Sequence, residues 1–380
     1  MEIANYVFLP FAVGAAAVVP YLVALIVIVF VHELGHFSVA RWCGVRVEAF
    51  SVGFGPEITG WNDRKGTRWR IAWIPLGGYV KFAGDANAAS MPDQQQNEPE
   101  PGTFHGAALW RRAAIVAAGP AVNFVLAIAI FAAAFMIIGE PKVEPRVGEV
   151  MAGSAAEKAG IQVGDLIVAV DGRPIENFID LQESIVTRGG ESLTVTVNRN
   201  QRIIDLVAVP TITEVDDDFG GKYRKGLLGV GAGKAGETVT YERYGPVRAV
   251  EKGVGRTWFI VSSTIKYLGK LMAGEERADQ LHGPIGTAGF ASQAASAGFL
   301  PFLSIIALMS ASVGLINLFP IPMLDGGHLV FYGIEALRGK PLGRKAQEWG
   351  FRVGFSLIIM LMMLGTWNDI SSHVSRLFGS

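Results

Sequence analysis

The amino-acid sequence predicts a polytopic α-helical membrane protein with about four transmembrane helices, a re-entrant β-hairpin on the cytoplasmic side and an inserted α/β domain. Three observations carry this expectation. Four stretches are long and apolar enough to cross a bilayer: Tyr21–Ala40, Ala113–Gly139, about 299–319 and about 351–367. Arginine and lysine gather in two of the segments between them, and a third, longer segment has the mixed patterning of a globular domain. Composition agrees: of 380 residues, 50% are hydrophobic and only 18% charged, below the charged share of an ordinary soluble domain. Lysine plus arginine (33) nearly balance aspartate plus glutamate (34), so no nucleic-acid partner is expected. Cys43 is the only cysteine, which excludes an intrachain disulfide.

Residues 1–42 are expected to form the first transmembrane region. The start, Met1-Glu2-Ile3-Ala4-Asn5, lacks the basic residues of a secretory signal, and the apolar run continues unbroken. Residues 5–19 therefore read as a retained lead-in to Pro20. From Tyr21, twenty helical residues reach about 30 Å, the thickness of the hydrocarbon core. Residues 43–112 follow, with Arg46, Arg64, Lys65, Arg68, Arg70 and Lys81 among their cations. The segment 328–350 carries Arg338, Lys340, Arg344 and Lys345. Both should face the cytoplasm, and four spans with both termini outside satisfy that.

Within the first cytoplasmic segment, 45–54 and 69–82 are rich in β-formers, interrupted by Gly53, Gly55 and Pro56, then by Pro75, Gly77 and Gly78. A hairpin this apolar is expected to dip toward the membrane, under cover of protein or a wet cavity. Ala86–Pro101, dominated by Asn, Gln, Pro and Glu, reads as a disordered linker.

After the second helix (113–139), residues 140–226 read as one α/β domain. Strands are expected at 146–150, 166–170, 192–199 and 202–209, helices near 155–159 and 178–187, and tight turns at Asp171-Gly172 and, between the last two strands, at Asn200-Gln201. In 227–298, the apolar stretch Thr257–Ile265 is bracketed by Arg256, Lys266 and Lys270 and is too short to span, so an amphipathic helix on the outer membrane surface is expected. A fifth crossing there would also invert the third helix (299–327) and carry Asp325 to the wrong face. The fourth helix and tail occupy 351–380.

The chemistry is concentrated in the first span. His32-Glu33-Leu34-Gly35-His36 sets two imidazoles four residues apart on one helical face, beside a carboxylate. That spacing suits a zinc ion and a general base for hydrolysis. Ionisable groups at this depth cost at least ~2–3 kcal/mol each and are functional by default. A catalytic zinc needs a third protein ligand, and Asp325, in Asn317-Leu318-Phe319-Pro320-Ile321-Pro322-Met323-Leu324-Asp325-Gly326-Gly327, is the best candidate. Pro320 and Pro322 disrupt the span, and the paired glycines are expected to let the chain turn beside the ion. The two motifs also agree in depth, since His32 and His36 lie about 5 Å to the cytoplasmic side of the first span's midpoint. Capping of a helix near Gly326 is the alternative role for Asp325, and His328 and Cys43 are rival ligands. Glu33 is expected to deprotonate the attacking water and pass that proton to the leaving amine. Asn317 can donate to substrate backbone or an oxyanion, or simply join helices. Asn123 reads as structural, and His105 and His282 as solvated loop residues.

Three segments, HELGH in the first span, AGPAVNF at 118–124 and NLFPIPMLDGG at 317–327, together resemble the site-2 protease family of intramembrane zinc metalloproteases. The likeness is closest to the bacterial regulator of sigma-E protease group and covers nearly the whole chain. It implies one zinc per chain on His32, His36 and Asp325, with Glu33 as the catalytic residue and Asn317 touching substrate. GVRVEAFSVGFGP at 44–56 and IPLGGYVKFAGD at 74–85 resemble that group's membrane-re-entrant hairpin, which implies substrate-binding roles for Gly53, Phe54, Gly55, Gly77, Gly78 and Tyr79. Residues 150–175 resemble a circularly permuted bacterial PDZ domain, which could add a peptide strand between 146–150 and 178–187 or act only as a size filter. Well-known members carry two PDZ domains in tandem, whereas this segment holds one. The implied setting is the bacterial inner membrane with the PDZ domain periplasmic. The implied substrates are single-span proteins such as trimmed anti-sigma factors or remnant signal peptides. A non-catalytic PDZ-bearing scaffold or chaperone is the alternative, against which the intact ligand set and Glu33 argue.

Overall fold

The computed structural model describes residues 2–84, 100–216, 222–233, 240–275, 278 and 281–378. The linker expected over 86–101 lies, but for its last two residues, outside them. In chain order the elements are α1 (Glu2–Trp42), β1 (Val47–Asn62), β2 (Arg68–Phe82), α2 (Leu109–Ile137), β3 (Glu140–Lys142), β4 (Val147–Val150), α3 (Ala155–Ala159), β5 (Leu166–Val170) and β6 (Arg173–Pro174). They continue with α4 (Phe178–Val186), β7 (Leu193–Arg199), β8 (Arg202–Ala208), β9 (Thr211–Asp216), β10 (Lys222–Leu227), β11 (Val230–Ala232) and β12 (Thr240–Glu242). The last are α5 (Pro246–Met272), α6 (Pro284–Ala297), α7 (Phe299–Asn317), α8 (Asp325–Arg338) and α9 (Arg344–Phe378). Four helical segments are long and apolar enough to cross a membrane: Val18–Trp42, Leu109–Ile137, Phe299–Asn317 and Lys345–Ser372. The chain divides into two compact units.

The first unit comprises residues 1–131, 253–261 and 282–367. The lead-in expected at 5–19 is continuous helix with the first span, since Pro10 and Pro20 do not end α1. Close packing of α1 on α2 depends on Gly35, where a Cβ would stand 2.6 Å from the carbonyl oxygen of Ala118. Small residues at a helix contact let backbones approach where apolar burial gives no net drive against lipid. The same device explains α6, a helix the sequence reading did not anticipate within 227–298. Its Gly286, Ala288 and Ala291 are buried and it packs against α1 and α7. A run of Gly, Ala and Ser carries too little hydrophobic contrast to announce a buried helix.

The expected hairpin forms with longer strands. β1 and β2 both bend, and the first half of β1 is flanked on two sides: Ser51 stands opposite Tyr79 along one edge and Arg70 along the other. Its core is aromatic, with Phe50 fully buried, stacked on Trp69 at 4.3 Å and edge-on to Phe37 of α1 at 5.5 Å. Asp63 organises the connecting turn. It accepts from the amides of Lys65 and Thr67, from the Trp69 indole and from Arg41. Burial alone would raise its pKa, but these four donors outweigh that and hold the carboxyl at about 2.

The third span ends close to the 299–319 read for it, short of the 327 expected for its helix. Helix α7 stops at Asn317, because Pro320 has no N–H to continue it and disfavours helical backbone at the preceding residue. Asp325 therefore does not end a helix reaching 327; it opens a separate helix, α8, inside what was expected to be a cytoplasmic loop from 328. Gly326 and Gly327 also act differently from the expected turn. Neither has positive φ, and a Cβ would meet the carbonyl oxygens of Leu318 and Phe319 at 2.3 Å, or that of Ile321 at 2.4 Å. The glycines permit close packing of α8 against the preceding loop.

The second unit comprises residues 132–252, 262–281 and 368–380. Its sheet runs β6-β5-β7-β8, around a core including Ile167, Val170, Leu181, Leu193, Val195 and Val197. Both expected tight turns occur, with positive φ at Asp171 and Gly172 and at Asn200 and Gln201. Helix α3 is capped by Ser154 and ended by left-handed Gly160, and α4 starts with an Asn177/Asp180 capping box. The boundary expected at 226 falls inside this unit: β11 pairs with β4, β12 pairs with β3, and Leu228 lies in the core. Both edges of β4 are engaged, by β11 and by backbone bonds between Val147 and residues 164–165. Within its two-stranded sheet β11 pairs with β4 alone among the described residues, so the free edge expected at 146–150 is not found on that strand. Helix α5 is one strongly amphipathic helix of 27 residues, far longer than the 257–265 stretch that announced it.

Candidate metal centre

Helix α1 brings His32, Glu33 and His36 to one wall of a cavity of about 240 Å³ that is also lined by Asn317 and Asp325. Both histidines are buried, at 9% and 8% exposure. Room for their rings comes from α2. At Gly119 a Cβ would lie 2.3 Å from His36 Nε2 and 2.8 Å from His32 Cε1, so any side chain there would displace the imidazoles. Two further bonds from α2 orient the rings. His36 Nδ1 lies 2.8 Å from the carbonyl oxygen of Ile115, and His32 Nδ1 lies 3.2 Å from the amide of Asn123.

Three atoms then converge. The Nε2 atoms of His32 and His36 are 3.2 Å apart, and Asp325 Oδ2 is 3.2 Å from the first and 3.5 Å from the second. A tetrahedral zinc with bonds of about 2.0–2.1 Å sets its ligand atoms about 3.3–3.4 Å apart, so the triangle has the size such an ion needs. Asp325 Oδ2 is moreover buried and has no hydrogen-bond donor, an arrangement that costs free energy unless a cation satisfies it. The capping role considered for Asp325 is not seen, since the N-cap of α8 is Leu324 and no side chain caps it. His328 lines the cavity but packs its ring among Phe331, Tyr332 and Phe351, outside the converging group. Cys43 is buried in the hairpin core.

Glu33 receives a hydrogen bond from the backbone of Val80, which ties the hairpin to the motif. Of the six hairpin residues singled out, Gly78 and Tyr79 line the cavity; Gly53, Phe54, Gly55 and Gly77 do not. Those four shape the bends. Gly53, Gly55 and Gly77 have φ of +89°, +89° and +127°, and a Cβ on Gly77 would stand 2.4 Å from the Phe54 ring. Gly78 must also lack a side chain, since a Cβ would meet Ser51 O at 2.7 Å and Glu33 Cγ at 3.3 Å. Val80, Phe82, Val116, Met323, Tyr332 and Phe351 complete the lining and were not anticipated. They come from four separate elements and the loop before α8, and although Val80, Phe82 and Met323 fall within the quoted segments, nothing local marks them as facing a cavity. Helix α8 is held by Arg112, which forms a two-pronged pair with Glu335 at 2.5 and 3.2 Å and lies 5.1 Å from the Tyr332 ring.

Comparison with known proteins gives a consistent result. The model of peptidase family M50 matches residues 20–361. The protein named "Putative zinc metalloprotease R01501" from Rhizobium meliloti (strain 1021) is 48% identical over 356 residues, covering 92% of this chain and 95% of its own. "Metalloprotease MmpA" from Caulobacter vibrioides is 39% identical over 382 residues, with 93% and 95% covered. A Rickettsia conorii protein, "Putative zinc metalloprotease RC0203", is 33% identical over 359 residues, with 94% and 99% covered.

Proposed function

This chain belongs to peptidase family M50, and on that premise we propose that it is an intramembrane zinc metalloendopeptidase of the site-2 type, related to the regulator of sigma-E protease group. The observation that carries the reading is the ligand triangle of His32, His36 and Asp325 beside Glu33, on a helix long and apolar enough to cross a membrane. Zinc, when bound by those three residues, supplies Lewis acidity to a scissile carbonyl and acidifies water. Glu33 takes a proton from the attacking water as its oxygen bonds to the carbonyl carbon. The same carboxyl delivers that proton to the amide nitrogen as the C–N bond breaks. Asn317, on the cavity wall, donates to the substrate backbone or developing oxyanion.

The substrate is a transmembrane segment of a single-span protein, such as a trimmed anti-sigma factor or remnant signal peptide. Its helix must open, because helical amides are already paired and shielded. Residues 78–82 of β2 border the cavity and pair with β1 along one side only among the described residues. Their second edge offers an unwound segment replacement hydrogen bonds. The second unit acts as a single PDZ-type domain on the periplasmic side of a bacterial inner membrane. The open edge of β11, whose Val230 and Ala232 pack on the same core as Phe178 and Leu181 of α4, is where a peptide strand would add. Helix α5 lies along the outer membrane surface.

The test uses purified, detergent-solubilised full-length protein and a single-span substrate. Glu33→Gln keeps one zinc per chain while cleavage falls at least ~10²-fold. Wild-type protein that binds no stoichiometric metal and does not cleave would instead favour the non-catalytic scaffold.

A further inference from the structure

Asn123 sits in the middle of α2, wholly buried, with its amide nitrogen 3.2 Å from His32 Nδ1 and its amide oxygen without any partner. The arrangement is unfavourable as drawn, for a reason that lies in the histidine. If His32 presents the Nε2 lone pair to a metal held jointly with Asp325, its Nδ1 must carry the proton and act as a donor. A donor facing an NH₂ group leaves both unsatisfied, while the one atom able to accept lies on the other side of the same amide. Amide oxygen and nitrogen are nearly the same size, so their placement follows from the hydrogen-bond network. Reversing the amide sets Oδ1 opposite Nδ1 and removes the buried orphan in one step.

We propose that Asn123 is a positioning residue for His32: its Oδ1 accepts the His32 Nδ1 proton, locking the tautomer and ring orientation that leave Nε2 free to bind the metal with His36 and Asp325. Three further observations fit. His36 has the equivalent contact from Nδ1 to the Ile115 carbonyl, about two turns away on the same helix, so α2 orients both rings by the same device. Asn123 is itself anchored, because Ser310 of α7 donates to its backbone carbonyl at 2.9 Å. Gly119, between Ile115 and Asn123, leaves the space in which both rings stand. Residues 115, 119 and 123 are thus one face of α2 shaped to the two imidazoles.

The inference rests on the metal reading above, and its test separates the two. Zinc affinity of full-length protein in detergent is measured by competition with a chromophoric chelator, and the visible spectrum is recorded with cobalt(II) in place of zinc. Asn123→Asp retains an acceptor in the same volume and should match or exceed wild-type affinity. Asn123→Leu has similar volume and no acceptor and should bind 10- to 100-fold more weakly, with an altered cobalt spectrum. Ser310→Ala, which removes the anchor to α7 but leaves the amide in place, should leave affinity within a factor of about three. If the leucine variant does not fold, Asn123→Ala replaces it in the same comparison. Wild-type affinity in the leucine or alanine variant, or equal losses in the aspartate and leucine variants, would overturn the proposal. Absence of metal from the wild type would overturn the reading beneath it.

Discussion

Substituting Gly326 by alanine should separate the packing of α8 from its composition. A Cβ at this position would lie 2.3 Å from two backbone carbonyl oxygens, whereas real Cβ atoms essentially never approach closer than 3.0 Å. The start of α8 or the 318–319 loop must therefore yield by about 0.7 Å, and backbone cannot rotate away as a flexible side chain would. Overpacking of this kind costs about 1–3 kcal/mol. Asp325 is the adjacent residue, and metal–ligand distances tolerate only about ±0.2 Å, so the displacement exceeds what the centre can absorb. The expected result is a lower melting temperature in detergent and a zinc affinity reduced at least ~10-fold. Gly333→Ala is the matched control. It lies on the same helix with nothing within 4 Å of its would-be Cβ, and there alanine should be neutral or stabilising by up to about 1 kcal/mol. Wild-type affinity and melting temperature in Gly326→Ala would refute the argument that close approach to the loop sets the position of Asp325.

Three other outcomes are expected. Asp325→Ala should lose stoichiometric zinc by elemental analysis while His328→Ala keeps it, because only the first side chain joins the converging group; the reverse result would exchange their roles. Arg112→Ala leaves Glu335 largely buried without its partner and should cost about 3 kcal/mol, read as a lowered unfolding midpoint, with Arg112→Lys recovering only part. Asp63 has a folded pKa of about 2, below its ordinary 3.8, so its contribution is complete above the ordinary value and fades as pH falls from about 4 toward 2. Wild-type melting temperature should drop more steeply across that window than that of Asp63→Asn; parallel curves would show that the turn's charge contributes nothing.

Much of this protein was legible in the sequence because its signals are local. An apolar run of some twenty residues means the same thing wherever it occurs, and the two-residue turns at Asp171-Gly172 and Asn200-Gln201 follow from short-range sterics. His32, Glu33 and His36 share a face because helix geometry puts them there, and a break after Asn317 follows from Pro320. Other features depend on what another element presents. That Gly326 and Gly327 serve close approach rather than a turn depends on where residues 318–321 run. That Gly78 and Tyr79 reach the cavity while Gly53 and Gly77 only shape its border depends on how β1 and β2 bend. Asn123 looked like an ordinary polar residue in a helix until α2 was set against α1, and α6 gave no signal because small residues matter only against a partner. Periodicity and motif spacing report on one segment at a time. The ring-orienting bonds, the cavity wall and the convergence of Asp325 on the two histidines are relations between segments far apart in the chain, and those exist only once the helices have packed.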